Sequence, residues 1–398
     1  MKVGIFTDSY KPYTSGVVTS ISTFKEELNK LGHEIYIFAP SYPNYEDEEA
    51  GVYRYFSMSS PTNPDFALAI PVYPGMHMLL KKLDLDIIHV HSPFTMGRVG
   101  MHWANRQHVP LIFTYHTLYD QYAHYVPVAQ ELVKEMALRF SNNFCNQCDH
   151  IIVPSEEIRR LLNSYEITTP ITVIPTGVPL HKFQGARQDW IRKNYNIPRE
   201  NKILLFVGRL TKEKNLPFLI QTFKLIKNKM PHTSLVLTAQ GPLEEELKQM
   251  VADLGLDLQE DVIFTGAQPF DTLVDIYYSS DLFVFSSMTE TQGLVLIEAM
   301  AAGLPVVAVR AYGVQDMVDH GINGILTECN QDEFAQAVIG LLSDPKLYKY
   351  YKNHAFQKAR SLSSANMALK LEKVYEDLLL NAPPRRTRIQ EFIARIAP

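Results

Sequence analysis

A chain of 398 residues, 46% hydrophobic and 20% charged, carries enough apolar material for two packed domains. Its net charge of −5 excludes the broad basic field of a nucleic-acid binder, and no run approaches the ~18 apolar residues that span a bilayer. Only three cysteines and no secretory apolar leader point to a reducing, cytoplasmic setting.

The chain opens on Lys2-Val3-Gly4-Ile5-Phe6, a short apolar run that reads as a buried strand. After a polar loop, Val17 to Leu31 has helical spacing, with Ile21, Phe24, Leu28 and Leu31 on one face and Gly32-His33 as the stop. A second strand is predicted from His33 to Phe38, which completes a βαβ unit. Further strands are predicted at Asp86–His91, Leu111–Tyr115, His150–Pro154 and Ile171–Pro175, with helical segments between them. Cys145 and Cys148 form a C-x-x-C without the second pair of a zinc ribbon, so they read as packing residues. Near Thr176-Gly177-Val178-Pro179 the composition turns polar, and the rhythm restarts at Lys202 to Gly208. Ser234–Thr238, Val262–Thr265, Leu282–Ser286 and Val306–Val309 continue it. The expected organisation is an N-terminal domain over 1–180, a C-terminal domain over 181–380 and a basic amphipathic tail over 381–398. Both domains are α/β with parallel sheets, and ligands bind such sheets at the strands' carboxyl ends.

Four constellations carry chemistry. Strand Leu282–Phe285 runs through Glu290 into Thr291-Gln292-Gly293-Leu294 and a helix that holds Glu298. The free N–H groups and positive dipole end of that helix favour a phosphate, and two carboxylates suit hydroxyls of a sugar and a ribose. Read alone, two glutamates also fit a solvated turn. Thr-Gln-Gly before the helix and Ala302-Gly303-Leu304-Pro305 after it favour the ligand site. In Gly208-Arg209-Leu210-Thr211-Lys212-Glu213-Lys214, Arg209 and Lys214 leave the end of a strand and can neutralise a diphosphate. Ser15-Gly16-Val17 lets a backbone approach a ligand at a helix start, but it is not the G-x-G-x-x-G of a dinucleotide enzyme. His116, after Phe113-Thr114-Tyr115, emerges at a strand end. Taken singly it fits a structural histidine as well as a ligand contact.

Together these segments resemble the retaining glycosyltransferases of the large family that includes bacterial phosphatidylinositol mannosyltransferases and plant sucrose synthases. The resemblance implies the GT-B fold: two Rossmann-like domains facing across a cleft, with a C-terminal helix crossing back to the first domain. It implies that Glu290 contacts the donor sugar and Glu298 the ribose, with Gln292, Gly293 and Leu294 at the helix start between them. It assigns Arg209 and Lys214 to the diphosphate, His116 to the donor sugar and Gly16 to the diphosphate loop. Many members carry two glycines where this chain has Ser15-Gly16, which leaves that last contact open. The run from Phe113 to Tyr125, with Tyr119, Tyr122 and Tyr125, is similar to the bacterial diacylglycerol glucosyltransferases.

That resemblance implies retention at the anomeric carbon, UDP-glucose as the donor substrate and 1,2-diacylglycerol as the acceptor at an anionic membrane surface, on the inner face of the cell membrane. No cofactor is expected to be tightly bound. No Asp-x-Asp is placed to hold a metal, so no metal is expected in the donor site. Two segments bear on the lipid. Phe66 to Leu80 is apolar and ends in Lys81-Lys82, and the tail from Arg385 carries four arginines against one glutamate. Packing explains both as well: the first as core, the second as a helix folded back on the first domain. Two other functions fit the same fold, transfer to a soluble sugar or small molecule, and a nucleotide-sugar epimerase or binding protein.

Overall fold

The computed structural model describes residues 1–60, 66–72, 74–118 and 130–381. Tyr73, the tyrosines at 119, 122 and 125, and the arginine-rich tail lie outside them. The chain forms two compact units. One holds Met1–Pro154, Arg159–Thr176 and the last helix from Met367; the other holds Ser155–Ile158 and Gly177–Asn366.

In the first unit β1 (Lys2–Phe6), α1 (Gly16–Lys30), β2 (Glu34–Pro40) and β3 (Val52–Tyr55) come first. A small antiparallel pair follows, β4 (Ser57–Ser59) and β5 (Ala67–Ala69), then α2 (Pro74–Leu83). Next are β6 (Ile87–Val90), α3 (Thr95–Gln107), β7 (Leu111–Thr114), α4 (Gln130–Cys145), β8 (His150–Val153), α5 (Glu156–Ser164) and β9 (Ile171–Val173). The seven-stranded sheet is parallel throughout, in the order β3-β2-β1-β6-β7-β8-β9. Parallel strands need crossover helices on the faces, so the inner strands are buried on both sides and read as continuous apolar runs. Ser15 caps α1 by accepting from the N–H of Val18 at 3.3 Å. Ile21, Phe24 and Leu28 are buried beneath that helix. Leu31, expected on the same face, is instead the C-cap and is exposed.

The second unit contains α6 (Trp190–Asn194), β10 (Lys202–Val207), α7 (Leu216–Lys229), β11 (Thr233–Thr238), α8 (Glu244–Asp253), β12 (Val262–Phe264) and α9 (Phe270–Ser279). It continues with β13 (Leu282–Phe285), α10 (Leu294–Ala301), β14 (Val306–Val309), α11 (Val314–Met317), β15 (Gly324–Thr327), α12 (Gln331–Ser343) and α13 (Pro345–Ser361). Its six-stranded parallel sheet runs β12-β11-β10-β13-β14-β15.

The last helix, α14 (Ser364–Asn381), returns to the first unit. Met367, Leu371 and Tyr375 recur at helical spacing and are buried. Glu372 pairs with Nε2 of His33 at 2.7 Å, and the Tyr375 hydroxyl meets Nδ1 of His89 at 2.7 Å. Cys145 and Cys148 are free and buried, and burial pushes the Cys145 thiol up to about 12. Among the described residues no helix is long and apolar enough to cross a membrane.

Candidate active site

In the second unit the strand order reverses at β10, which has β11 on one side and β13 on the other. A crevice opens where such an order reverses, at the carboxyl ends of the strands. The loops after β10 and β13 carry Arg209, Lys214 and Glu290, so the topology brings the predicted donor residues together. The approach is enforced by hydrogen bonds. Ser286 Oγ donates to the Lys214 carbonyl at 2.7 Å and Ser287 Oγ to that of Glu213 at 3.3 Å. The Met288 N–H bonds the Glu213 carbonyl at 3.1 Å. Lys214 Nζ then forms an ion pair with Glu290 Oε1, both side chains being half-buried. Lys214, expected on the diphosphate, and Glu290, expected on the sugar, are therefore direct partners. A diphosphate that reaches Lys214 shares it with this carboxylate.

Arg209 is exposed, at the turn that follows β10. Its position is set from β11: the Leu210 N–H bonds the Gln240 carbonyl at 3.1 Å, and a Cβ at Gly241 would lie 2.6 Å from the Leu210 carbonyl oxygen. Gly293 caps α10 with a left-handed φ of 80°, a conformation that favours glycine. Gln292 is buried beside it and Leu294 opens the helix. A second glycine holds the Glu290 loop. Gly313 N–H donates to the Glu290 carbonyl at 2.9 Å, and its Cβ would fall 2.1 Å from the Thr291 carbonyl oxygen. One turn into α10, Glu298 Oε2 accepts from the Tyr277 hydroxyl at 2.8 Å. Burial raises the Glu298 carboxyl above its usual range, and the Tyr277 hydrogen bond acts against that shift.

Gly16 and His116 lie in the first unit, both at the carboxyl edge of its sheet. Gly16 is the first residue of α1. His116 follows β7, and its Nε2 lies 2.8 Å from Nδ1 of His91, which follows β6. The His91 ring also packs at a tilt against His89, with ring centroids 4.4 Å apart, and His89 Nε2 meets Thr114 Oγ1 at 2.6 Å. Burial holds all three imidazoles neutral, with His116 pushed down to about 4 and His89 to about 3. Nε2 of His91 is buried without a hydrogen-bond partner. An orphaned N–H is costlier than a bare lone pair, so His91 carries its proton on Nδ1 and donates to His116.

Sequence reasoning passed over Asp8, at the order reversal of this first sheet. Its carboxylate accepts from Ser92 Oγ and, at 3.0 Å, from the Met96 N–H in the first turn of α3. Burial raises its pKa. Asp8, two residues past the end of an apolar strand, and the alternation His89-x-His91 were the available signals. Gly241, Gly313 and Tyr277 left none, because their roles depend on distant backbone.

Two family models match the chain, "Glycosyltransferase Family 4" over residues 14–182 and "Glycosyl transferases group 1" over 187–358. The alpha-monoglucosyldiacylglycerol synthase of Streptococcus pneumoniae is 31% identical over 393 residues, covering 96% of this chain and 87% of that protein. A GDP-mannose-dependent alpha-mannosyltransferase of Corynebacterium glutamicum is 29% identical over 338 residues, 82% of this chain and 77% of that one. Among solved structures, Anabaena HepE in complex with UDP superposes with a TM-score of 0.77 at 19% identity, covering 95% of this chain and all of that one (100%). Two parallel Rossmann-like sheets, a switch-point site with paired cations and carboxylates, and these matches agree: the chain belongs to the group 1 glycosyl transferases of GT-B fold.

Proposed function

We propose that the protein is a retaining glucosyltransferase that moves glucose from UDP-glucose to 1,2-diacylglycerol at a membrane surface. One observation carries the lipid acceptor. The first unit exposes a set of large apolar side chains on β4, β5 and α2 and beside them: Phe56, Met58, Ile70, Val72 and Met78. Val72 is 68% and Met78 72% exposed, more than a soluble surface gains from. Beside them lies a groove of 570 Å³ lined by Tyr55, Met76, Val99 and Trp103, with Arg98 and His102. Lys81 and Lys82 close α2. Apolar side chains beside cations suit an anionic bilayer, which would place the protein peripherally on its inner face. The segment from Phe66 to Leu80 thus divides between core and surface, since Met76 and Leu80 are buried.

The donor chemistry follows from the second unit. The acceptor hydroxyl oxygen bonds to the anomeric carbon on the face that UDP leaves. The bond from that carbon to the phosphate oxygen breaks, and the departing oxygen takes the hydroxyl proton. Charge grows on the diphosphate as this happens. Arg209 supplies a planar fork and Lys214 a point charge where it grows, with the N-terminus of α10 adding its dipole. Glu290 takes a sugar hydroxyl, Glu298 the ribose, and neutral His116 a further sugar hydroxyl. These fixed charges do the work of a metal, so none is assigned to the donor site.

The mannosyltransferase relative makes GDP-mannose the competing donor. Labelled UDP-glucose and GDP-mannose, offered with diacylglycerol in anionic liposomes and with a panel of soluble sugars, separate the possibilities. Glucose label in the organic phase supports the proposal. Mannose label there changes the donor, and label on a soluble sugar alone removes the lipid. Conversion or hydrolysis of donor without any acceptor makes the protein an epimerase, and donor binding with no turnover at all makes it a binding relative.

A further inference from the structure

Tyr277 belongs to no loop of the donor site and carries no charge at neutral pH. It sits on α9, fully buried, with its ring 6.1 Å from Phe283 on β13 and 6.4 Å from Phe183. Two aromatic neighbours and the helix backbone fix its position. At the end of that ring the hydroxyl donates to Glu298 Oε2 at 2.8 Å, the one hydrogen bond to either group's side chain among the described residues. A buried hydroxyl without a partner is costly, so the ring and the carboxylate constrain each other. With Oε2 engaged, Oε1 is the oxygen left to accept from a ligand.

We infer that Tyr277 is a positioning residue that aims Glu298 at the ribose hydroxyls of the donor and so makes the site selective for ribonucleotides. The inference rests on the reading that Glu298 takes the ribose. A carboxylate on a helix has several rotamers, and a hydrogen bond from a rigid ring selects one before the ligand arrives. Discrimination then comes from the ligand's side. A nucleotide without ribose hydroxyls has nothing to offer Oε1 and gains nothing from the selection.

The test is calorimetric binding of UDP and of 2′,3′-dideoxy-UDP, with GDP and its dideoxy form in parallel, to the full chain. Wild type, Tyr277→Phe, Glu298→Ala and the double variant are compared. Tyr277→Phe is expected to weaken the ribonucleotide by about tenfold and to leave the dideoxy form almost unchanged. In the Glu298→Ala background the same change should cost nothing more, since its effect passes through that carboxylate. Removing the hydroxyl should also shift the acid limb of ribonucleotide binding to higher pH, because the carboxylate loses a donor. Equal weakening of both nucleotides, or additivity in the double variant, would show a purely structural tyrosine and overturn the inference. Glu298→Ala that binds both forms as wild type does would instead remove the ribose reading beneath it.

Discussion

Lowering the pH from 6.5 to 5 loads protons onto the histidines of the unfolded chain but not onto the three packed together at the ends of β6 and β7. Unfolded imidazoles titrate near 6.5, whereas burial pushes His116 down to about 4, His89 to about 3 and His91 well below its usual value. The folded state thus binds fewer protons, so its stability is complete above pH 6.5 and falls as the pH drops towards 4. His116 and His89 each contribute about 2 kcal/mol of loss by pH 5, at roughly 1.4 kcal/mol per pH unit, and His91 acts in the same direction. If independent, His116 and His89 would together lose about 4 kcal/mol, but members of one network do not add. Asp8 works the other way. Its raised pKa lets the folded state keep a proton that the unfolded chain releases, which offsets part of the loss. Even a net loss of a few kcal/mol is a large share of a domain's ~5–15 kcal/mol. Amide exchange at Ile87–Val90 and Leu111–Thr114, corrected for intrinsic rates, reads it locally. Protection should fall over this window, and His91→Asn, which cannot take up the proton, should flatten the dependence. Protection that is unchanged between pH 6.5 and 5 would refute the neutral histidine cluster.

The donor site makes sharper demands. Arg209→Ala and Lys214→Ala should each lower kcat by about a hundredfold or more in a donor-saturated assay, and chelation by EDTA should leave kcat unchanged. A metal-restored loss, or wild-type turnover in either variant, would count against the cation assignment. Gly313→Ala puts a methyl on the Thr291 carbonyl and should cost about 1–3 kcal/mol, read as a lower melting temperature together with weaker nucleotide binding. An unchanged melting temperature would mean that the loop yields. Val72→Ser combined with Met78→Ser should reduce sedimentation with anionic liposomes without changing UDP affinity. Equal sedimentation would make these side chains irrelevant to the membrane.

The legible parts of this molecule were those whose signal is local. Leu282–Phe285 is a continuous apolar run because both faces of its sheet are covered, and the helix start at Gly293-Leu294 announces itself by composition. Arg209, Lys214 and Glu290 could be placed at one sheet edge because each follows a strand end. Strands β3 and β15 escaped notice for physical reasons. Val52–Tyr55 is a half-buried edge with a charge in it, and Gly324–Thr327 opens on a glycine that fits tightly against the Val306 carbonyl. Asp8 caps a helix that begins far along the chain, and His91 acquires its partner from the neighbouring strand. The Lys214–Glu290 pair likewise depends on two loops being laced together, which no spacing reveals.

The central claim is retaining transfer of glucose to diacylglycerol. The most direct measurement is the proton NMR spectrum of the organic-phase product made from UDP-α-glucose and diacylglycerol liposomes. A glucosyl glycerolipid whose anomeric proton shows the small coupling of an α-linkage is the predicted result. A large β-coupling would contradict retention, and the absence of any glucolipid would contradict the acceptor.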